Sequence, residues 1–444
     1  MKQKLVILGG GESGIGAALL AKQKDFEVFV SDAGAIRANY KDELLANGIA
    51  FEERHCEENI LDADIVVKSP GIPENELVKK VRVNGIELIS EIELAYRFKG
   101  ESRIIAITGS NGKSTTTALA YHICKTAGAD CAMVGNIGYS FARQVAEDPK
   151  KIYVAEISSF QLDDIKKFRA DVAVLTNITE DHLDRYEYRF ENYIRSKFRI
   201  TENQTEEDVF IYSMDDEITM KNINNFLIRS NPLPFTMSKP LPQGAYISDA
   251  KMHVKWKQEE MSMSIEDFAI KGKHNQYNAM AASLAAVVMD IRKEKIRDAV
   301  QTFQSLEHRM EHVATIKGVE FINDSKATNV NSTWYALESM TRPTILILGG
   351  IDKGNDYSLI KGLVKEKVKA IVCMGVDNRK IHEAFGNEVE LIVNTGSARD
   401  AAQAAFHFAN KGDAVLLSPA CASFDLFKNY EDRGKQFKQA VKEL

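Results

Sequence analysis

Ile104-Ile105-Ala106-Ile107-Thr108-Gly109-Ser110-Asn111-Gly112-Lys113-Ser114-Thr115 is the stretch on which the fold turns. A β-branched apolar run ends in a glycine-bracketed loop, and Lys-Ser then opens a helical segment, Thr116 to Ala127. That order makes a phosphate cradle. Glycines let backbone N–H groups turn inward and approach phosphate oxygens. The helix N-terminus adds partial positive charge, and Lys113 is placed to reach β/γ-phosphates. Ser114 offers a hydroxyl to the Mg²⁺ that travels with a nucleotide. The general pattern has four residues between its glycines, whereas Ser110 and Asn111 alone separate Gly109 from Gly112. The loop is a compressed variant. The plain alternative is an ordinary strand–turn–helix with a lysine at its start.

Outward from this loop, strand–loop–helix units recur on both sides. Toward the N-terminus, residues 4–9 read as a buried strand, followed by Gly9-Gly10-Gly11-Glu12-Ser13-Gly14 and a helix to about Lys24. A second strand, Glu27 to Ser31, ends at Asp32, where a dinucleotide site places its ribose-binding acid. Alone, Gly9, Gly11, Gly14 and Asp32 suggest a nicotinamide oxidoreductase, a reading that leaves the phosphate loop unexplained. A third strand, Asp64 to Lys68, runs into the rigid loop Ser69-Pro70-Gly71-Ile72-Pro73.

Toward the C-terminus, strands Lys151–Ile157 and Asp171–Thr176 deliver Glu156, Asp181 and His182 to the rim that holds the phosphate loop. Carboxylates and imidazole there suit a Mg²⁺–phosphate cluster. A helix containing Tyr193 to Ile200 carries Lys197, most simply a surface lysine. Residues 231–270 read as a small antiparallel appendage. Asn275 and Asn278 share one face near the start of an Ala-rich helix, where they either cap it or bind an adenine. Around Ser305 the pattern resets into alternating strands and helices. Three polar loops follow strands there, 323–329, 349–354 and 418–424, with Lys326, Thr328, Lys353 and Ser423 forming a cationic, hydroxyl-rich rim suited to carboxylates or phosphate.

Composition narrows the function classes. A chain of 444 residues has room for about three domains. A net charge of −6 argues against a nucleic-acid surface. Five scattered cysteines without CxxC spacing point to a reducing compartment and away from disulfides or zinc. The first apolar run stops at Leu8, too short for a signal peptide, and no stretch is long enough to span a membrane. A cytoplasmic location is expected.

The motifs TGSNGKST, NITEDHLDRY, KHNQYNAMAA and NDSKATN resemble those of the Mur ligases of peptidoglycan synthesis, with folylpolyglutamate synthases as more distant relatives. GGIDKGNDYS and SPACASFDLFKNYEDRGKQF look like the D-glutamate-adding members, and the Asp-Asn-Pro-Arg motif of members adding diaminopimelate or lysine is absent. The resemblance implies an α/β chain of three domains. A Rossmann-like domain at 1–99 would bind the UDP end of the substrate. A P-loop ATPase-like parallel-sheet domain at 100–305 would bind ATP, and a Rossmann-like domain at 306–444 the amino acid.

It also implies roles. Gly11, Glu12, Ser13, Asp32, Ser69 and Asn136 would line the UDP-substrate site. Residues 109–115 with Asn275, Asn278, Arg309 and Asp324 would hold ATP, and Lys326, Thr328, Lys353, Ser423 and Phe424 would hold D-glutamate. Ser114, Glu156 and His182 match Mg²⁺-linked positions, and Lys197 matches a lysine whose carbamate holds a second Mg²⁺. Lys113, Glu156, His182 and Lys197 would carry the chemistry. Two departures stand out: Glu12-Ser13 where an apolar residue and Thr are expected, and Ala33 where a hydroxyl is common.

The expected reaction is ATP-dependent amide formation on UDP-N-acetylmuramoyl-L-alanine through an acyl phosphate, with the third domain closing onto the second. Expected partners are small-molecule substrates alone, with no nucleic acid, no membrane insertion and a monomeric chain. A Mur-type ligase with another acceptor, or a nucleotide-binding module that does no ligation, are the alternatives.

Overall fold

Runs of β-branched residues form the buried strands, and successive parallel strands are joined across helices that cover the sheet faces. The computed structural model describes residues 2–304, 306–352 and 354–444. The first sheet contains β1 (Lys4–Leu8), β2 (Glu27–Asp32), β3 (Ala50–Glu53), β4 (Ile65–Lys68) and β5 (Glu87–Ser90). All are parallel, in the order β3-β2-β1-β4-β5. The order reverses between β1 and β4, and ligands of open sheets sit at such a point, outside the strand C-termini.

The second sheet contains β6 (Arg103–Thr108), β7 (Cys131–Gly135), β8 (Ile152–Glu156), β9 (Val172–Leu175), β10 (Val209–Ser213), β11 (Asn231–Thr236), β12 (Gly244–Ser248), β13 (Lys251–Trp256) and β14 (Glu259–Ser264). Their order is β14-β13-β12-β11-β10-β9-β6-β8-β7. Residues 231–270 are therefore no separate appendage. β11 continues the parallel sheet beside β10, and β12, β13 and β14 extend its edge as an antiparallel meander. Pro232 and Pro234 occupy alternate positions, so the N–H groups they lack would face one side of β11. β12 pairs only with Phe235 and Thr236, beyond both prolines.

The third sheet contains β15 (Glu311–Ile316), β16 (Val319–Asn323), β17 (Thr344–Leu348), β18 (Val368–Met374), β19 (Ile392–Thr395) and β20 (Ala414–Leu417). The order is β15-β16-β20-β17-β18-β19, with β15 the antiparallel edge.

Two compact units result. One comprises Met1–Ala269 with Asn275–Phe303, and the other Ile270–His274 with Gln304–Leu444. Within the first unit a single buried cluster runs from Ile7 and Ile15 through Phe141 and Tyr153 to Phe198 and Phe210, joining the first two sheets. In the second unit two clusters cover the sheet, one with Leu346 and Phe385, the other with Ile345 and Phe437. Ser305 lies outside the described residues. No helix among them is long and apolar enough to cross a membrane.

Candidate active site

β6 lies between β8 and β9, so three strand ends share one rim: the glycine loop, Glu156, and residues 176–182. Gly109 has φ +147°, and a Cβ there would stand 1.9 Å from Thr176 Oγ1. Gly112, φ +80°, precedes the helix Lys113–Thr126, and its Cβ would stand 2.5 Å from Asn278 Oδ1. Both the left-handed backbone and the close neighbours demand glycine. Ser110 N donates to Asn177 O at 2.9 Å and Asn111 N to Asn177 Oδ1 at 2.9 Å, fastening the loop to the end of β9. Lys113 Nζ lies over the loop, donating to Gly109 O at 2.8 Å and Ser110 O at 2.9 Å. Ser114 is buried at the start of the helix, with Thr115 half-buried beside it.

Lys197 is not a surface lysine. It is 1% exposed, on the inner side of the helix Phe190–Phe198, and donates to Gly109 O at 2.7 Å above the Tyr193 ring. Burial, then the charge of Lys113, lowers its pKa well below the usual lysine value, with Asp181 and Glu156 opposing. Glu156 accepts from Asn136 Nδ2 at 2.7 Å, and Asn136 N donates to Glu156 O at 2.8 Å, so β7 and β8 end together. His182, φ +53°, meets the Phe160 ring edge-on. Among the described residues no three His, Cys, Asp or Glu side chains are gathered as a ready metal site. The hard-oxygen donors on the rim include Ser114, Glu156 and Asp181, which accepts from His182 N at 2.9 Å.

Asn275 and Asn278 lie within the helix Lys273–Val288, both buried. Asn278 Oδ1 accepts from Thr116 Oγ1 at 3.1 Å, and its Nδ2 donates to Asn275 Oδ1 at 3.1 Å. The pair thus braces its helix against the phosphate-loop helix.

At the first sheet a Cβ on Gly14 would stand 1.8 Å from Gly9 O, the close helix–strand approach that the glycine pattern serves. Asp32 accepts from Gly10 N at 2.6 Å and Gly34 N at 2.8 Å, organising the loop backbone. Ser13 Oγ and Ser69 Oγ are shielded from solvent with no hydrogen-bond partner among the described residues. Two orphan hydroxyls beside Gly9–Gly11 fit a polar ligand. Glu12, in contrast, is held by Arg143, Nε to Oε1 at 2.8 Å.

In the second unit β20 lies between β16 and β17, so the three polar loops that follow these strands are neighbours. Ile351 N donates to Ala422 O at 2.8 Å, joining two of them. Asp324 is buried, accepting from Ser418 Oγ at 2.9 Å and Met310 N at 3.2 Å. Burial pushes its pKa up to about 7, against the pull of Ser418 and Arg309. Ser423 is buried, Phe424 is exposed, Thr328 is half-buried, and Lys326 Nζ lies over the Tyr430 ring. Lys353 lies outside the described residues.

Sequence reasoning missed Arg433, which is fully buried in the helix Tyr430–Lys442. Its Nη2 donates to Ser325 O at 2.8 Å, and its Nη1 to Cys421 O at 3.1 Å and Gly349 O at 3.5 Å. One guanidinium ties all three loops together. The signal was present, because Arg433 shares a helix face with the buried Phe437 and Val441.

Family models match along this architecture. MurD N-terminal domain matches residues 4–77, Mur ligase middle domain 107–286, and Mur ligase, glutamate ligase domain 308–421. A protein of Christiangramia forsetii named UDP-N-acetylmuramoylalanine–D-glutamate ligase is 54% identical over 450 residues, with 100% of each chain covered. The chain belongs to the Mur ligase family. This Mur ligase also resembles in fold a pseudomurein peptide ligase type C from Methanothermus fervidus, with a TM-score of 0.64 at 21% identity and 100% of each chain covered. MurF ligase from Thermotoga maritima, solved in complex with ADP, gives a TM-score of 0.62 at 14% identity, covering 94% of this chain and 95% of that one. At those identities the shared property is the three-sheet α/β fold.

Proposed function

We infer that this Mur ligase joins D-glutamate to UDP-N-acetylmuramoyl-L-alanine with ATP, in peptidoglycan precursor synthesis. The observation that carries the reading is the full-length 54% identity to a ligase of that name. The glycine-bound cradle under Lys113 supports its ATP half. Residues 1–99 serve as the UDP-substrate domain, 100–305 as the ATP domain and 306–444 as the D-glutamate domain.

A free carboxylate is a poor acylating agent, so the reaction first creates a leaving group. An oxygen of the L-alanyl carboxylate attacks the γ-phosphorus and ADP departs, leaving an acyl phosphate. The D-glutamate amine then attacks the acyl carbon, loses a proton, and inorganic phosphate leaves. Phosphoryl transfer depends on positioning and charge neutralisation. Lys113 and the backbone N–H groups of residues 109–115 supply both for the phosphates. Asn275, Asn278, Arg309 and Asp324 bind the rest of the nucleotide. Gly11, Ser13, Asp32, Ser69 and Asn136 hold the UDP-linked substrate. Lys326, Thr328, Lys353, Ser423 and Phe424 hold D-glutamate.

Ser114, Glu156, His182 and a carbamylated Lys197 would hold two Mg²⁺ ions, which when bound neutralise phosphate charge. A buried lysine disfavours its ammonium form. The free amine can attack CO₂ and release a proton, giving an anionic carbamate.

ADP release measured with Mg²⁺, ATP, UDP-N-acetylmuramoyl-L-alanine and a panel of amino acids tests the reading. Release with D-glutamate alone is expected. Release only with another amino acid would keep a ligase and reassign the third-sheet loops, and no release with any acceptor would remove ligation.

A further inference from the structure

Two helices of the first unit meet at Gly16. One, Glu12–Gln23, starts from the Gly9–Ser13 loop; the other, Phe141–Glu147, follows the Asn136 loop. A Cβ on Gly16 would stand 2.2 Å from Ser140 Oγ and 2.9 Å from Arg143 N, so the two backbones are in contact. Arg143 lies just beyond this crossing, with about one-tenth of its side chain exposed.

All five of its N–H groups have acceptors. Nε and Nη2 donate to Glu12 Oε1 and Oε2 at 2.8 and 3.3 Å. Nη1 and Nη2 donate to Glu43 Oε1 and Oε2 at 2.5 and 3.1 Å, and Nη1 also to Glu147 Oε1 at 2.9 Å. Glu43 lies on the helix Ala38–Ala46, and Glu147 on the arginine's own helix. Of the three, Glu12 is the one attached to a proposed substrate loop. A second tie acts at the same helix start, where Ser140 Oγ and Ala142 N donate to the buried Glu91 Oε1 at 2.7 and 2.6 Å.

We propose that Arg143 is a positioning residue for the UDP-linked substrate, setting the span between the Gly11–Ser13 loop and Asn136 by its forked grip on Glu12. The inference rests on the reading of both loops as contacts for that substrate. It also explains the acidic residue at position 12. A carboxylate at the first turn of a helix is favoured by the helix N-terminus, and it matches the guanidinium fork. An apolar residue there would leave the fork one partner short. A nucleoside diphosphate conjugate long enough to touch both loops gains from both contacts only if their spacing is already set. A mononucleotide confined to the first loop has no such requirement.

Titration calorimetry on the full chain tests this, with melting temperature measured alongside. The probes are UDP-N-acetylmuramoyl-L-alanine, UMP and a non-hydrolysable ATP analogue. Arg143→Lys keeps the charge and loses the fork. It is expected to weaken the UDP-linked substrate about tenfold while UMP and the ATP analogue stay within about twofold. Glu43→Gln breaks a comparable pair on the same guanidinium but touches no substrate loop, so all three probes should stay within about twofold. Unchanged substrate binding in Arg143→Lys would overturn the proposal. So would an equal loss of UMP, which indicates general loosening, or an equal loss in Glu43→Gln. Wild-type protein that fails to bind the UDP-linked substrate at all would instead overturn the functional reading on which the proposal rests.

Discussion

Glu91 brings a carboxyl group into the interior with neutral donors as its hydrogen-bond partners. Burial pushes its pKa up to about 7, although Ala142 N and Ser140 Oγ both donate to it. The folded protein therefore holds this proton more tightly than the unfolded chain, where the group titrates near 4.5. The corresponding stabilisation is complete below the unfolded pKa and is lost as pH rises through about 7. Its full size is on the order of 3 kcal/mol. Glu91→Gln keeps the shape and cannot ionise. The stability difference, wild type minus variant, is expected to fall between pH 5 and 8 in denaturant melts; a flat difference would mean that the carboxyl titrates normally. Lys197 is the opposite case, an amine whose burial favours the neutral form. Lys197→Ala is expected to be inactive and partly restored by a small added carboxylate standing in for the carbamate. Full activity without that addition would leave Lys197 a packing residue.

At the scale of elements, Arg433 decides whether three loops act as one site. Its helix delivers donors to carbonyls of Ser325, Cys421 and Gly349, and among the described residues no carboxylate forks onto it. Arg433→Lys cannot span all three. It is expected to raise KM for D-glutamate about tenfold or more while KM for the UDP-linked substrate holds. Equal rises in both would reduce Arg433 to a general packing role.

This arginine also shows where sequence reading stops. β17 and β20 are runs of buried apolar residues, and their limits are legible to the residue. β3, Ala50–Glu53, is a half-exposed edge strand with two acids, and β5, Glu87–Ser90, has only Leu88 and Ile89 between polar ends, so neither carries a continuous signal. β15 alternates weakly and takes its place by pairing with β16. The phosphate loop is legible because its function needs consecutive residues in one order. Arg143 and Arg433 are only partly legible: the face that Arg433 shares with Phe437 and Val441 signals burial, but most of the acceptors that fix either guanidinium lie on other elements. Lys197 shows the same limit: resemblance singled it out, but its burial comes from packing.

At the scale of the whole molecule, the phosphate loop and the three polar loops belong to different compact units, the first holding Gly109–Ser114 and the second Asp324–Thr328 and Ser418–Phe424. The proposed chemistry imposes a condition on them. An acyl phosphate exposed to water hydrolyses, so the amine must reach the acyl carbon in a place from which water is excluded. If closure is what excludes that water, binding of all ligands is expected to draw the units together. Small-angle scattering should show the radius of gyration falling when Mg²⁺, a non-hydrolysable ATP analogue, UDP-N-acetylmuramoyl-L-alanine and D-glutamate are all present. Any single ligand should produce less of the change, because each alone contacts fewer of the groups that closure brings together. A radius unchanged with every ligand bound, in protein that still releases ADP, would show that the acyl phosphate is protected without closure.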